Sequence, residues 1–265
     1  MLSALEVDEL YDTARECSQI AANMCREFRR DSMNAQLKAD KTWVTAADLS
    51  IERKLREFLK MRRTDDSILG EEEGGEWGKE NQITWILDPI DGTFSFVHGI
   101  PFYSSLIAVA YGKTPIIGFA ALPGLDITMS AVKGRGAKIN NIPYVAPSSN
   151  TIENIEIVAT ADVHRFRMEG HNGVLQKLYG PDFKARTYPD ALGYYLLLNG
   201  SVRAFVDPKI EVWDVAPFHV ILPEAGCVIR PWHASEGLAR GTSVAYRVTG
   251  SGEPMVCDDV LEALR

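Results

Sequence analysis

Asp88 and Asp91 sit three residues apart in Trp85-Ile86-Leu87-Asp88-Pro89-Ile90-Asp91-Gly92-Thr93, and that spacing suggests chemistry. The apolar run predicts a strand that delivers Asp88 at its end. Pro89 has no N–H with which to extend a ladder, and Asp91-Gly92-Thr93 has the residue types of a turn that starts a helix. Two carboxylates on one tight bend repel and raise each other's pKa unless they share a proton or a hard cation. Upstream, Leu69-Gly70-Glu71-Glu72-Glu73-Gly74 adds acids directly after a short apolar strand, Ser67 to Leu69. Alone it reads as a solvated acidic turn; beside the strand carrying Asp88 it becomes a source of oxygen ligands for Mg²⁺. Asp214, in Val212-Trp213-Asp214-Val215-Ala216-Pro217, is predicted at the start of a helix running toward Gly226. Capping of free N–H groups would by itself explain an Asp there.

The elements that must position these acids follow from periodicity. Leu5, Leu10, Ala14, Cys17, Ala21, Met24 and Phe28 keep helical spacing behind a Ser3/Glu6 capping box. After a polar stretch from Arg29 to Lys41, Thr45 and Asp48 open a second helix with an apolar face of Ile51, Leu55, Phe58 and Leu59. Both helices are expected on one face of a sheet. Strands are predicted at Ile83 to Leu87, Ser105 to Tyr111, Pro115 to Leu122, Ile127 to Val132 and Ala137 to Asn140, with reversals at Gly112-Lys113-Thr114 and Lys133 to Gly136. The N-terminal half thus reads as helices over an antiparallel sheet. The Pro-, Ser- and Asn-rich stretch from Tyr144 to Asn154 is the boundary candidate, dividing the chain into 1–146 and 147–265. Beyond it come a strand at Ile155 to Thr160, a weak helix at Phe166 to Tyr179, a helix at Leu192 to Asn199 ended by Gly200, and a strand at Arg203 to Val206. Alternating strands and helices indicate a mixed α/β half.

Composition narrows the partners. With 265 residues the chain holds one large domain or two intimately packed ones, and 46% hydrophobic with 24% charged residues is ordinary for a folded protein. Thirty-six acidic against 28 basic residues give a formal net charge of −8, which repels a long polyanion and argues against nucleic acid. A small anion still binds where cations or backbone amides reverse the local field. Cys17, Cys25, Cys227 and Cys257 show neither CxxC spacing nor His partners, so they read as reduced thiols. No run approaches the roughly 18 apolar residues of a membrane span, and the acidic N-terminus lacks a signal pattern; a cytoplasmic location with no membrane partner is expected.

Together the segments resemble the inositol monophosphatase-like family of metal-dependent sugar phosphatases. Its two signatures stand here as WILDPIDGTFSFVHGIPFYSSLIAVAYG (Trp85 to Gly112) and WDVAPFHVILPEAG (Trp213 to Gly226), with GEE at Gly70 to Glu72 and VTAAD at Val44 to Asp48. The resemblance runs from the N-terminal helix to about Ile229. It implies an α/β fold, a layered αβαβα sandwich, and a homodimer. It also implies that Glu71, Asp88 and the Ile90 carbonyl hold one Mg²⁺, that Asp88, Asp91 and Asp214 hold a second, and that a third, weaker ion sits near Glu71. The implied reaction is in-line attack of water on the phosphorus of a small soluble phosphomonoester, without a covalent intermediate. Thr93, linked to Asp48, would act with Glu71 to orient the water and take its proton. The N–H groups of Gly92 and Thr93 would cradle the phosphate.

Substrate choice in the family lies largely in the second half, which points to Asp190 in Tyr188-Pro189-Asp190-Ala191, and to Asp207 and Glu211 in Val206-Asp207-Pro208-Lys209-Ile210-Glu211. These look more like the histidinol-phosphatase branch than the inositol branch, and several carboxylates suit a leaving group bearing an ammonium and an imidazolium. They would also suit sugar hydroxyls, so inositol phosphate, fructose bisphosphate or a nucleotide 3′-phosphate stay open. So does a non-catalytic binding protein of the same fold, whose expected mark, a lost metal ligand, is absent. Three departures stand out: Phe94-Ser95 replaces a small polar pair, Pro223 predicts a kink or early end in the helix after Asp214, and Arg230 to Gly252 matches poorly. His98 reads as structural or rim.

Overall fold

The protein is described by a computed structural model covering residues 2–29, 35–37, 43–146, 157–181, 184–231 and 241–247. Two long helices come first. In α1 (Ala4–Phe28) Ser3 and Glu6 form the expected capping box, and Leu10, Ala14, Cys17, Ala21 and Cys25 make a buried stripe. The short strands β1 (Ala35–Leu37) and β2 (Trp43–Thr45) pair antiparallel ahead of α2 (Ala46–Arg62), where Thr45 and Asp48 cap reciprocally. Both helices lie on one face of a seven-stranded sheet, burying Ile51, Leu55 and Leu59 against Trp85, Leu87, Ile107 and Phe119.

That sheet runs in sequence order: β3 (Ser67–Gly70), β4 (Ile83–Asp91), β5 (Ser104–Tyr111), β6 (Thr114–Leu122), β7 (Ile127–Val132), β8 (Ala137–Ile139) and β9 (Ile142–Pro143), with α3 (Thr93–Val97) between β4 and β5. All pairs are antiparallel except β3 and β4, which are parallel, so the expected antiparallel half carries one parallel edge. A second, five-stranded sheet comprises β10 (Ile157–Thr160), β11 (Lys184–Thr187), β12 (Ala204–Ile210), β13 (Cys227–Pro231) and β14 (Gly241–Arg247), in the order β11-β10-β12-β14-β13. Here β11, β10 and β12 are parallel while β14 is antiparallel to both of its neighbours, the mixed α/β arrangement.

The weak helix expected at Phe166 to Tyr179 is two short ones, α4 (Val163–Met168) and α5 (Asn172–Leu178), packed on the outer face of the five-stranded sheet through Phe166, Leu175 and Leu178. Gly170, at φ +81° between them, makes the break easy. Three helices, α6 (Asp190–Leu198), α7 (Val212–Val215) and α8 (Phe218–Glu224), fill the layer between the sheets. Their Tyr194, Leu197, Phe218 and Ile221 join Leu106 and Met129 of one sheet and Phe205 and Ala245 of the other in one cluster. The order helix, sheet, helix, sheet, helix is the αβαβα sandwich. The boundary stretch falls largely in 147–156, and the poorly matching 230–252 largely in 232–240 and 248–252, outside the described residues, as do Cys257 and most of the polar stretch before β2.

Candidate active site

The bend in β4 is a bulge within the strand. The strand continues through Pro89 to Asp91 instead of ending at Asp88, and its register against β5 slips between Asp88, opposite Leu106, and Asp91, opposite Ser104. Side chains three positions apart on a regular strand point to opposite faces; one extra residue brings both carboxylates to the same side. Pro89, with no N–H to leave unpaired, suits the slip. Next comes Gly92 at φ +78°, ahead of α3. A Cβ there would stand 2.7 Å from Asp190 Oδ2 and 3.0 Å from the Phe102 carbonyl, so the turn needs glycine for conformation and space alike.

Asp214 arrives from the other half. The expected single helix toward Gly226 is broken after α7, and the break falls at Ala216 and Pro217, with Pro223 seated in the last turn of α8, which ends one residue later. Glu211 is the N-cap residue of α7, and its N–H donates to Asp214 Oδ2 at 2.9 Å. Asp214 is therefore not the cap residue itself. The break packs on β6 where Gly118 has no side chain; a Cβ there would lie 2.3 Å from the Pro217 carbonyl oxygen.

One carboxylate oxygen from each of Asp88, Asp91 and Asp214 lies within 4.8 Å of the others. Asp88 is 1% exposed, and its Oδ1 has no hydrogen-bond partner. Burial first, then Glu71, Asp91, Asp214 and Asp48, push the Asp88 carboxyl well above the usual range. Burial and then Asp91 do the same to Asp214. Asp91 is also raised by burial, although the Ser104 hydroxyl at 2.5 Å and the Ala191 N–H at 3.1 Å donate to its Oδ2. An orphaned buried oxygen among hard anionic donors is what a divalent cation satisfies, so these residues fit a metal of the Mg²⁺ type. Glu71 stands next to this triad, on the turn after β3, and exerts the largest charge effect on Asp88.

The remaining expected residues divide. The Ile90 carbonyl accepts from the Thr93 hydroxyl at 3.0 Å, and a carbonyl oxygen carries two lone pairs. The expected Thr93 to Asp48 bond is not formed. Asp48 is held by its own cap: Oδ2 accepts from the Thr45 hydroxyl at 2.5 Å and the Thr45 N–H at 2.9 Å, leaving Oδ1 buried without a partner. Burial lifts the Asp48 carboxyl to about 7. Asp190, a non-glycine residue at φ 60°, is pushed well above its usual range by burial and then Asp91. Asp207 is raised to about 6 by burial, against the opposing Arg165 and the Lys209 N–H. His98 is exposed and stacks on Phe94, ring centroids 4.1 Å apart.

Three contributors escaped the sequence reading. Ser104 holds Asp91; only its register opposite the bulge reveals it. Arg165, on α4, faces Asp207, Asp190, Asp214 and Asp91, one cation opposite four acids, and no motif marks it. Glu52 of α2 is wholly buried beneath the Glu71 turn; its spacing of four from Asp48 was the available signal.

Comparison with known proteins agrees with this geometry. The profile of the Inositol monophosphatase family matches residues 6–263. A histidinol-phosphatase of Mycobacterium tuberculosis is 32% identical over 241 residues, covering 89% of this chain and 90% of that one. An inositol monophosphatase of Mesembryanthemum crystallinum is 27% identical over 100% of this chain and 99% of its own. The crystal structure of the extragenic suppressor protein suhB from Bartonella henselae superposes with a TM-score of 0.83 over 97% of this chain and 98% of that one, a likeness of fold at 23% identity. Across nearly its whole length, then, the chain belongs to the inositol monophosphatase family, and its class is that of the phosphoric monoester hydrolases.

Proposed function

We propose that the chain hydrolyses a small phosphomonoester with Mg²⁺, histidinol phosphate being the leading substrate, and that 1–146 supplies most of the metal side while 147–265 supplies Asp214 and the leaving-group side. The observation that carries this is the mutual approach of Asp88, Asp91 and Asp214 to within 4.8 Å, with Asp88 Oδ1 unpartnered. Glu71, Asp88 and the Ile90 carbonyl would hold one ion and Asp88, Asp91 and Asp214 a second, with a weaker third near Glu71. When bound, Mg²⁺ supplies the positive charge that acidifies water and offsets charge growing on the phosphoryl and leaving oxygens.

The chain's own groups do the rest. Asp48, whose carboxyl is pushed to about 7 and whose Oδ1 is an open acceptor, is suited to take a proton near neutrality, and Glu71 shares that task. The Thr93 hydroxyl donates to Ile90, so its oxygen remains free to accept from the attacking water and orient it. The Gly92 and Thr93 N–H groups hold phosphate oxygens at the left-handed turn. Asp190 and Asp207 meet a leaving group carrying positive charge, and Arg165 keeps their own repulsion in check. Glu211, the N-cap residue of α7 beside Asp214, is retained as a third contributor. The resemblance also supports a cytoplasmic homodimer; among the described residues no helix is long and apolar enough to cross a membrane.

Phosphate release from histidinol phosphate and inositol 1-phosphate, measured across Mg²⁺ concentrations, tests the proposal. A higher kcat/KM for histidinol phosphate is expected, and a preference for inositol 1-phosphate overturns the substrate assignment. No Mg²⁺-dependent release from a broad panel, or unchanged activity in Asp91→Asn, overturns catalysis in favour of a binding protein.

A further inference from the structure

Helix α2 turns two acids inward one turn apart, Asp48 and Glu52, and both are 0% exposed. Glu52 is not one of the three acids gathered within 4.8 Å of one another. Its Oε2 accepts the Glu72 N–H at 2.8 Å and its Oε1 the Glu73 N–H at 3.0 Å. Arg56, one turn further along and 14% exposed, places Nη2 2.8 Å from Glu52 Oε1 and donates to the Gly74 carbonyl at 2.5 Å. Gly70 is fitted to this carboxylate: a Cβ there would stand 2.1 Å from Glu52 Oε1.

The consequence for the acidic turn is complete. Gly70 and Gly74 exchange backbone bonds at 3.0 Å, and the Glu71 N–H donates to the Leu87 carbonyl at 3.1 Å. With Glu72 and Glu73 bound to Glu52, every amide from Gly70 to Gly74 has an acceptor. A run of like charges at a chain reversal would otherwise spread apart in solvent. Burying an ion pair is seldom worth more than packing apolar groups in the same space, so a gain in stability alone is a weak account of this one. What the pair does that apolar residues would not is hold two consecutive amides and a carbonyl directly after Glu71, those of Glu72, Glu73 and Gly74.

We propose that Glu52 and Arg56 form a clamp that fixes the backbone carrying Glu71, making them positioning residues for Mg²⁺ although neither is a ligand. The inference rests on the reading of Glu71 as a metal ligand. Glu52 orients the turn by its two oxygens, and Arg56 locks both Glu52 and the far end of the turn.

Two variants test the clamp. Arg56→Lys keeps the charge but cannot fork between Glu52 and Gly74. Glu52→Gln keeps the shape but turns one acceptor into a donor facing an N–H. Hydrogen exchange on metal-free protein reads the Glu72 and Glu73 amides, and calorimetric titration with Mg²⁺ alone reads the site. In both variants these amides are expected to lose protection, and the Mg²⁺ dissociation constant to rise about tenfold, as for other residues that orient a ligand. KM for the phosphate ester at saturating Mg²⁺ is expected to stay unchanged. Wild-type protection and wild-type Mg²⁺ affinity in folded Arg56→Lys overturn the clamp, and that variant decides alone should Glu52→Gln fail to fold. Glu71→Gln separates the two readings: if it leaves Mg²⁺ affinity unchanged, the ligand assignment falls. If it weakens affinity while both clamp variants do not, only the clamp falls.

Discussion

Two groups of buried acid, one within the site and one beneath the turn that carries Glu71, are treated oppositely. Glu52 is compensated: Arg56 and two backbone amides meet both of its oxygens. Asp88, equally buried, sits among Glu71, Asp91, Asp214 and Asp48 with Oδ1 facing no donor, and its carboxyl is driven upward. Burial penalises both groups; the partner supplied decides the outcome. The protein builds a complete answer for the acid that organises backbone and an incomplete one for the acids that would take a cation. The difference separates structural from functional carboxylates on physical grounds.

The largest expected effect breaks the comparison at Asp88. Asp88→Asn is expected to lower phosphate release at least about a hundredfold, since a direct ligand should exceed the effect of a residue that merely orients one. The same change is expected to stabilise the metal-free protein by about 1–3 kcal/mol, because it removes an unsatisfied buried charge. Denaturant unfolding in chelator checks the sign. On the compensated side the sign reverses: Glu52→Gln is expected to destabilise by about 3–5 kcal/mol, the cost of leaving Arg56 without its partner.

Metal removal sharpens the contrast through pH. Asp88, Asp91, Asp190 and Asp214 are raised in the folded state above their ordinary 3.8, so the metal-free folded protein holds more protons than the unfolded chain above that value. Stability contributed by these groups is then greatest at low pH and lost as pH rises through their raised values. The melting temperature of metal-free protein is expected to climb on acidification from pH 8 to about 5.5, and saturating Mg²⁺, which binds the deprotonated acids, to flatten that climb. A flat metal-free profile would remove the idea of uncompensated charge. Next, Gly118→Ala is expected to cost about 1–3 kcal/mol by crowding Pro217, and to weaken Mg²⁺ binding by shifting Asp214; thermal melts and calorimetry read both. The smallest effect concerns His219, lowered by burial from 6.5 to about 4. Its neutral form contributes stability present above pH 6.5 and lost as pH falls toward 4, opposite in sign to the acids. His219→Gln is expected to reduce the loss over that window relative to wild type.

Much of this was legible in the chain before any coordinates. The capping boxes at Ser3/Glu6 and Thr45/Asp48 hold because their signal is local, three residues read against the backbone that they cap. The strands around Asp88 and the approach of Asp214 followed from residue types and from likeness to a family. The bulge was half visible: Pro89 signalled a disturbance, but whether a strand stops or slips depends on the partner, here β5. Glu52 was hidden because periodicity assigns a charged residue to the solvent face, and only the amides of a turn some twenty residues later make its burial tolerable. Pro223 brings the expected early end, one residue before α8 stops, whereas the additional break at Pro217 was hidden because it packs against a bare Gly118 of β6. Arg165 lay beyond reach for the same reason: its meaning comes from four acids contributed by separate elements.

The bond from the Ala191 N–H to Asp91 Oδ2 joins residues a hundred positions apart, and Asp214 lies further still. A growing chain therefore emerges from synthesis with its first acids exposed long before the last is made, and those acids acquire their raised affinity for protons only when the middle helices dock. Competence needs all of these contacts together, so recovery of turnover after unfolding is expected to time the final closure of the sandwich more faithfully than recovery of helix signal.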